Sequence, residues 1–195
     1  MRFVQRREFE NETGERQVRF GLYLEDVVEL EHFSELGSLY RFWHQAKAAP
    51  NGMRYMDVLD SLWLAPVATP DFVTVIGADK DASSDFYIVR PALKAAVALQ
   101  PGQKISEIGS PLNRRRLTIE YASAKEEGRV LVDEIHQWFR ADDGQPLRSN
   151  HYVRFIYPLC DRSGELVRFM VASRQINKRV QPLSSALQAP LIDAA

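Results

Sequence analysis

The sequence predicts a mixed α+β domain, and two observations carry that prediction. Asp142-Asp143-Gly144 and Asp161-Arg162-Ser163-Gly164 cut residues 129–177 into three extended, aromatic-rich runs. An Asp-Gly step supplies the positive φ that a tight hairpin needs, and the flanking β-branched and aromatic residues suit a pleated surface. Upstream, apolar residues recur at helical spacing behind capping signals. Helices followed by a three-strand meander make an antiparallel sheet with helices covering one face and an N-terminal helical cap.

The 195 residues fit one domain with terminal extensions, long enough to bury a core without disulfides or metals. Lys and Arg number 25 against 26 Asp and Glu, so the charge gives no case for a nucleic-acid or membrane partner. Cys160 is the one cysteine, which excludes an internal disulfide and makes a reducing cytoplasm the expected compartment. No apolar run approaches the ~20 residues of a membrane span, and no apolar signal core follows the basic start Arg2–Arg7.

Residues 1–33 are charged and irregular, and they read as a hairpin or a mobile arm. Phe20, Leu22, Leu24, Val27, Val28 and Leu30 make residues 20–31 too apolar to lack a packing partner. A helix is expected from Ser34 to about Ala49, with Leu36, Leu39, Tyr40 and Trp43 at i, i+3, i+4, i+7 and Pro50-Asn51-Gly52 as its stop. Met56, Leu59 and Trp63 suggest a shorter helix closed by Pro66. Residues 71–78 read as a strand, 79–84 as a polar turn and 86–89 as the hairpin partner. Pro91 suits the start of a helix over 92–98, Pro101-Gly102 a turn, and 105–108 a short segment. Ser110-Pro111 pairs a cap with proline at the first helical position, and that helix should run to about Glu127 and end at Gly128. Its Arg114-Arg115-Arg116 run reads as the wet side of a surface helix, offset by Glu126-Glu127. The closing strands are expected at 130–140, 149–160 and 165–176. Residues 34–177 then form the domain, 1–33 an N-terminal extension and 178–195 a loosely held tail.

Particular segments recur in this order: Tyr40-Arg41-Phe42-Trp43, Met56-Asp57-Val58-Leu59-Asp60 and the Pro66 turn, Asp85 to Arg90, Gly102 to Ile108, then Arg154 to Leu159 before the Asp161–Gly164 turn. Over residues 36–174 this resembles a stand-alone PAS-like family of alphaproteobacterial type. Two features depart from it. Arg90-Pro91 stands where the family usually has Gly-Thr, and residues 1–33 have no counterpart.

The resemblance implies a five-stranded antiparallel sheet with helical segments between its second and third strands, and a sensory or interaction module with a small-molecule pocket beneath them. Carried over by topology, Phe86, Tyr87, Ile119, Trp138, Phe155 and Tyr157 would line that pocket. A homodimer would form through the helix preceding the sheet, with Leu36, Leu39, Tyr40 and Trp43 as interface, although the same stripe equally fits packing on its own sheet. With no output domain expected in the chain, the signal would pass in trans to a protein partner. No cofactor is expected: the photoadduct cysteine of flavin-binding relatives is missing from the helix after the second strand, and residues 111–128 hold no haem-ligating histidine.

From the residues alone, no metal-ligand spacing, nucleophile elbow or phosphate loop is present. His136 and His151 fall on neighbouring strands as a cross-strand pair, and Cys160 reads as an incidental thiol. The best enzymatic constellation is Glu134 and His136, two apart on one strand and so on one face. They would serve an isomerase- or dehydratase-type enzyme if a deep pocket faced them. A solvated sheet face is the preferred reading of Asp133, Glu134 and His136, and a non-enzymatic module the preferred reading of the chain.

Overall fold

The structure, a computed structural model, describes residues 3–12, 15–28, 30, 33–64, 72–78, 85–93, 99–139 and 148–176. The hairpin β1 (Phe3–Glu10) and β2 (Arg16–Leu22) comes first. Helices α1 (Leu24–Val28) and α2 (Ser34–Gln45), a two-residue strand β3 (Arg54–Tyr55) and α3 (Val58–Leu64) follow. Then come β4 (Val73–Ala78), β5 (Phe86–Arg90), a 3-10 turn (Ile105–Glu107) and α4 (Pro111–Glu127). The chain closes with β6 (Leu131–Phe139), β7 (Arg148–Cys160) and β8 (Leu166–Gln175).

The α+β class is as the sequence predicts, but among the described residues the sheet has eight strands rather than five. Its order is β1-β2-β6-β7-β8-β4-β5, antiparallel throughout, with β3 added in parallel to β7. The two additions have local causes. In β2, Val18, Phe20 and Leu22 alternate with Gln17, Arg19 and Gly21, so one face of the strand is apolar and joins the core under α2 while its backbone pairs with β6. β6 ends opposite Ile156, which leaves Leu159 and Cys160 free to pair with Arg54 and Tyr55.

α2 stops at Gln45, four residues before the expected end, because residues 48–54 close a turn of their own. Ala49 N–H donates to the Met53 carbonyl at 2.8 Å, and Gly52 N–H to Ala49 at 2.9 Å. Arg54 then donates to the carbonyls of Trp43 and His44, two of the acceptors a helix end leaves open. α4 follows its sequence signals closely. The Ser110 hydroxyl accepts from Asn113 N–H, Pro111 opens the helix, and Gly128 closes it at φ 62°, a conformation glycine adopts without strain. The Asp161–Gly164 turn forms as expected, with Asp161 accepting from the N–H groups of Ser163 and Glu165. The Asp142–Gly144 turn, the 79–84 turn, most of the 92–98 helix and the tail from 177 lie outside the described residues.

Helices cover both faces of the sheet, not one. The alternation of β7 divides the interior: Val153, Phe155, Tyr157 and Leu159 point to one face, and Tyr152, Arg154 and Ile156 to the other. The first face packs under α1 and α2, where Val27, Leu36 and Leu39 are fully buried and Trp43 meets Tyr157 at 5.6 Å between ring centroids. The second packs under α4 and the 3-10 turn, with Ile76, Ile88, Ile105, Tyr121, Phe169 and Val171.

Candidate functional site

α4 has a polar buried side. Arg116, Glu120, Tyr121 and Ala124 face the sheet at i, i+4, i+5 and i+8, while Arg114 and Arg115 are exposed. The arginine run is therefore wet at two positions, and its third, Arg116, is only 2% exposed. Opposite it the sheet presents Arg19 from β2, Asp133 from β6 and Arg154 from β7, all buried, with Asp133 and Arg154 direct cross-strand partners.

These five groups form one ion network. Arg154 donates from one terminal nitrogen to Glu120 at 2.7 Å and to Asp133 at 3.1 Å. Arg19 Nε donates to Asp133 at 2.6 Å, and Arg116 reaches Glu120 at 3.1 Å and the Asn113 side-chain oxygen at 2.7 Å. A second Arg19 nitrogen stands 3.6 Å from Glu120. Burial alone would raise the pKa of Glu120, but the guanidiniums of Arg116, Arg154 and Arg19 outweigh it and hold the carboxyl below its usual range. Burial works against the charge on Arg154 too, and Glu120 and Asp133 more than restore it. Burial pushes Tyr121 up to about 12, so its phenol stays neutral.

Beside the network lies a half-open cavity of about 170 Å³ between α4, the 3-10 turn and strands β4, β5, β7 and β8. Ile76, Ile88, Ile105, Ile108, Leu117 and Val171 make its apolar wall. Arg116, Arg154, Tyr121 and Tyr152 make a polar end, with Thr74 and Ser173 nearby on the sheet. The Nε groups of Arg116 and Arg154 are buried and have no hydrogen-bond partner among the described residues. An apolar pocket with a few convergent polar groups is the usual form of a small-molecule site.

None of the six residues expected to line a pocket is in this wall. Phe155 and Tyr157 are fully buried on the opposite face of β7, in the core under α2. Trp138 is on that face as well, stacked on His136 at 4.0 Å between ring centroids. Tyr87 lies across Gly77, where a Cβ would come within 2.4 Å of its ring, and Arg168 stacks over it. Phe86 packs against Tyr121 and Phe169, one layer from the cavity, and Ile119 is exposed. The expectation names three elements that border the cavity, β5, β7 and α4, and one, β6, that does not; Phe86 shares the cavity's side of β5, and the other residues face elsewhere. In the α2 stripe, Leu36, Leu39 and Trp43 are buried in the chain's own core, and Tyr40 is half-buried beside them.

Asp133 and Glu134 do not form a solvated face: both are buried, on opposite sides of β6. Glu134 Oε1 accepts a hydrogen bond from His151 Nε2 at 2.8 Å, and His136 stacks on its cross-strand partner His151 at 4.8 Å. Burial, then the neighbouring His151, lowers the pKa of His136 to about 4, against the opposing pull of Glu134. This cluster lies on the α2 side of the sheet, so Glu134 and His136 face away from the cavity. Cys160 is buried, its thiol donating to the Arg54 carbonyl at 3.5 Å, and burial raises its pKa, which suits an unreactive thiol.

Among the described residues no group of His, Cys, Asp and Glu is placed to hold a metal ion, and no helix is long and apolar enough to cross a membrane. No family model, curated protein or solved structure matches the chain.

Proposed function

We propose that this protein is a non-enzymatic PAS-like sensory module that binds a small ligand in the cavity under α4 and passes the change to a protein partner. The observation that carries the reading is the cavity itself, with a mainly aliphatic wall that also holds Arg116, Arg154, Tyr121 and Tyr152, beneath helical segments inserted into a sheet. Five strands support the resemblance. β4, β5, β6, β7 and β8 are consecutive in the chain and contiguous in the sheet, and the 3-10 turn and α4 fall between the second and third of them. The β1–β2 hairpin and β3 are additions around that unit.

An enzyme using Glu134 and His136 needs a pocket facing both groups. The cavity is on the other side of the sheet, and Glu134 is engaged with His151. A homodimer belongs to the proposed reading, and it must use a surface other than the buried side chains of Leu36, Leu39 and Trp43.

The test is mass spectrometry of the natively purified protein, before and after denaturation, beside its absorption spectrum. The reading expects a non-covalent small molecule that is released on unfolding. An empty protein eluting as a dimer would replace it with a purely structural dimerisation module.

A further inference from the structure

Charge and size at the cavity narrow the ligand. Three buried guanidiniums, those of Arg19, Arg116 and Arg154, share two carboxylates, those of Glu120 and Asp133. The described network therefore holds one positive charge in excess, in a place where an uncompensated charge is costly. Two of the three guanidiniums, those of Arg116 and Arg154, are in the cavity wall. A neutral ligand would leave the charge uncompensated, and a cation would add to it. A carboxylate accepts hydrogen bonds from guanidinium N–H groups in a charge-assisted geometry that suits both partners.

The rest of the wall is aliphatic, from Ile76, Ile88, Ile105, Ile108, Leu117 and Val171. A cavity of about 150 Å³ lined by such residues takes a benzene-sized body, and this one measures about 170 Å³. We infer that the cavity takes a monocarboxylate with a compact apolar body, its carboxylate on Arg116 and Arg154 and its body against the aliphatic wall. This inference rests on the ligand-binding reading above and adds the ligand's chemical class.

The experiment is calorimetry and thermal unfolding of the full chain, freed of any co-purified molecule. The probes are benzoate, phenylacetate and the straight-chain acids from butanoate to octanoate, each beside its matched primary amide. At least one acid should bind and raise the melting temperature, with its amide about tenfold weaker or worse. Arg116→Met should abolish that preference, whereas Arg115→Met, an exposed neighbour on the same helix, should leave it intact. Val171→Phe, which fills the wall, should abolish binding of acid and amide alike. Amides that bind as well as acids, with Arg116→Met unchanged, would overturn the carboxylate assignment and leave the pocket reading standing. If no probe of either kind binds and Val171→Phe changes nothing, both fail. Should Arg116→Met not fold, the acid-to-amide ratio in the wild type decides alone.

Discussion

The two faces of the sheet share every central strand and are built on opposite principles. Under α2, the residues Val153, Phe155, Tyr157 and Leu159 of β7 meet Leu36, Leu39 and Trp43 in close apolar packing. Under α4, the intervening residues Tyr152 and Arg154 meet Arg116, Glu120 and Tyr121, and space remains between them. Stability on the first face comes mainly from area removed from water, at roughly 25 cal/mol per Å². On the second it depends on buried charges keeping their partners, a contribution that is small as a net gain and large when one partner is removed. One strand thus carries a core on one side and a candidate binding site on the other.

The largest effects should come from breaking each face by its own means. Phe155→Ala removes a fully buried aromatic and should cost about 3–5 kcal/mol in denaturant unfolding. Glu120→Ala leaves three buried guanidiniums with Asp133 alone and should cost a similar ~3–5 kcal/mol at neutral pH. Acid separates the two. The folded pKa of Glu120 is lowered, so its contribution is present above the ordinary carboxylate pKa and is lost as pH falls through the folded value. The gap between wild type and Glu120→Ala should therefore narrow in acid, while the gap to Phe155→Ala stays constant. Equal behaviour of the two variants would remove the distinction between the faces.

Enlarging a side chain probes space directly. Val153→Phe adds bulk to the filled face and should cost about 1–3 kcal/mol by overpacking. Val171→Phe adds it beside the cavity and should cost less than about 1 kcal/mol, because the ring has somewhere to go. Their order in a thermal melt is the readout, and a reversed order would place the space on the wrong side.

His136 gives a smaller signal confined to a pH window. Its folded pKa of about 4 is below the ordinary imidazole value of 6.5, so between those values the unfolded chain binds the extra proton. Wild type should lose stability as pH drops through that window, and His136→Gln should lose less. The smallest effect belongs to Ile119→Ser. Ile119 is 38% exposed on α4, and the change should stay within about 0.5 kcal/mol.

What the sequence made legible was local. Ser110-Pro111 and Gly128 gave both ends of α4, and Asp161–Gly164 gave the last hairpin, because each signal acts through the backbone of its own few residues. Charged neighbours mask the alternation of Val18, Phe20 and Leu22, so residues 1–33 read equally as a hairpin or a mobile arm, and the hairpin is what forms. The site was the harder case. Arg116, Asp133 and Arg154 look like solvated residues in a linear reading, and they are buried only because helix, sheet and opposite charges meet between elements, 21 positions apart for Asp133 and Arg154, 34 for Glu120 and Arg154, and 114 for Arg19 and Asp133. A strand shows alternate residues to its two faces, and the apolar half of β7, Phe155 and Tyr157, drew the pocket to the side that is in fact filled. A cue was present in the polar half: Arg154 between Tyr152 and Ile156 in the middle of a long apolar strand needs a buried partner.

The central claim is that the space under α4 is a ligand site and the α2 face is not. A crystal structure of the natively purified protein tests it most directly. The account predicts density for a bound small molecule between α4 and strands β7 and β8, within hydrogen-bond distance of Arg116 or Arg154, and none under α2. Leu117, Tyr121 and Val171 in mutual contact, closing that space with their own side chains, would contradict it.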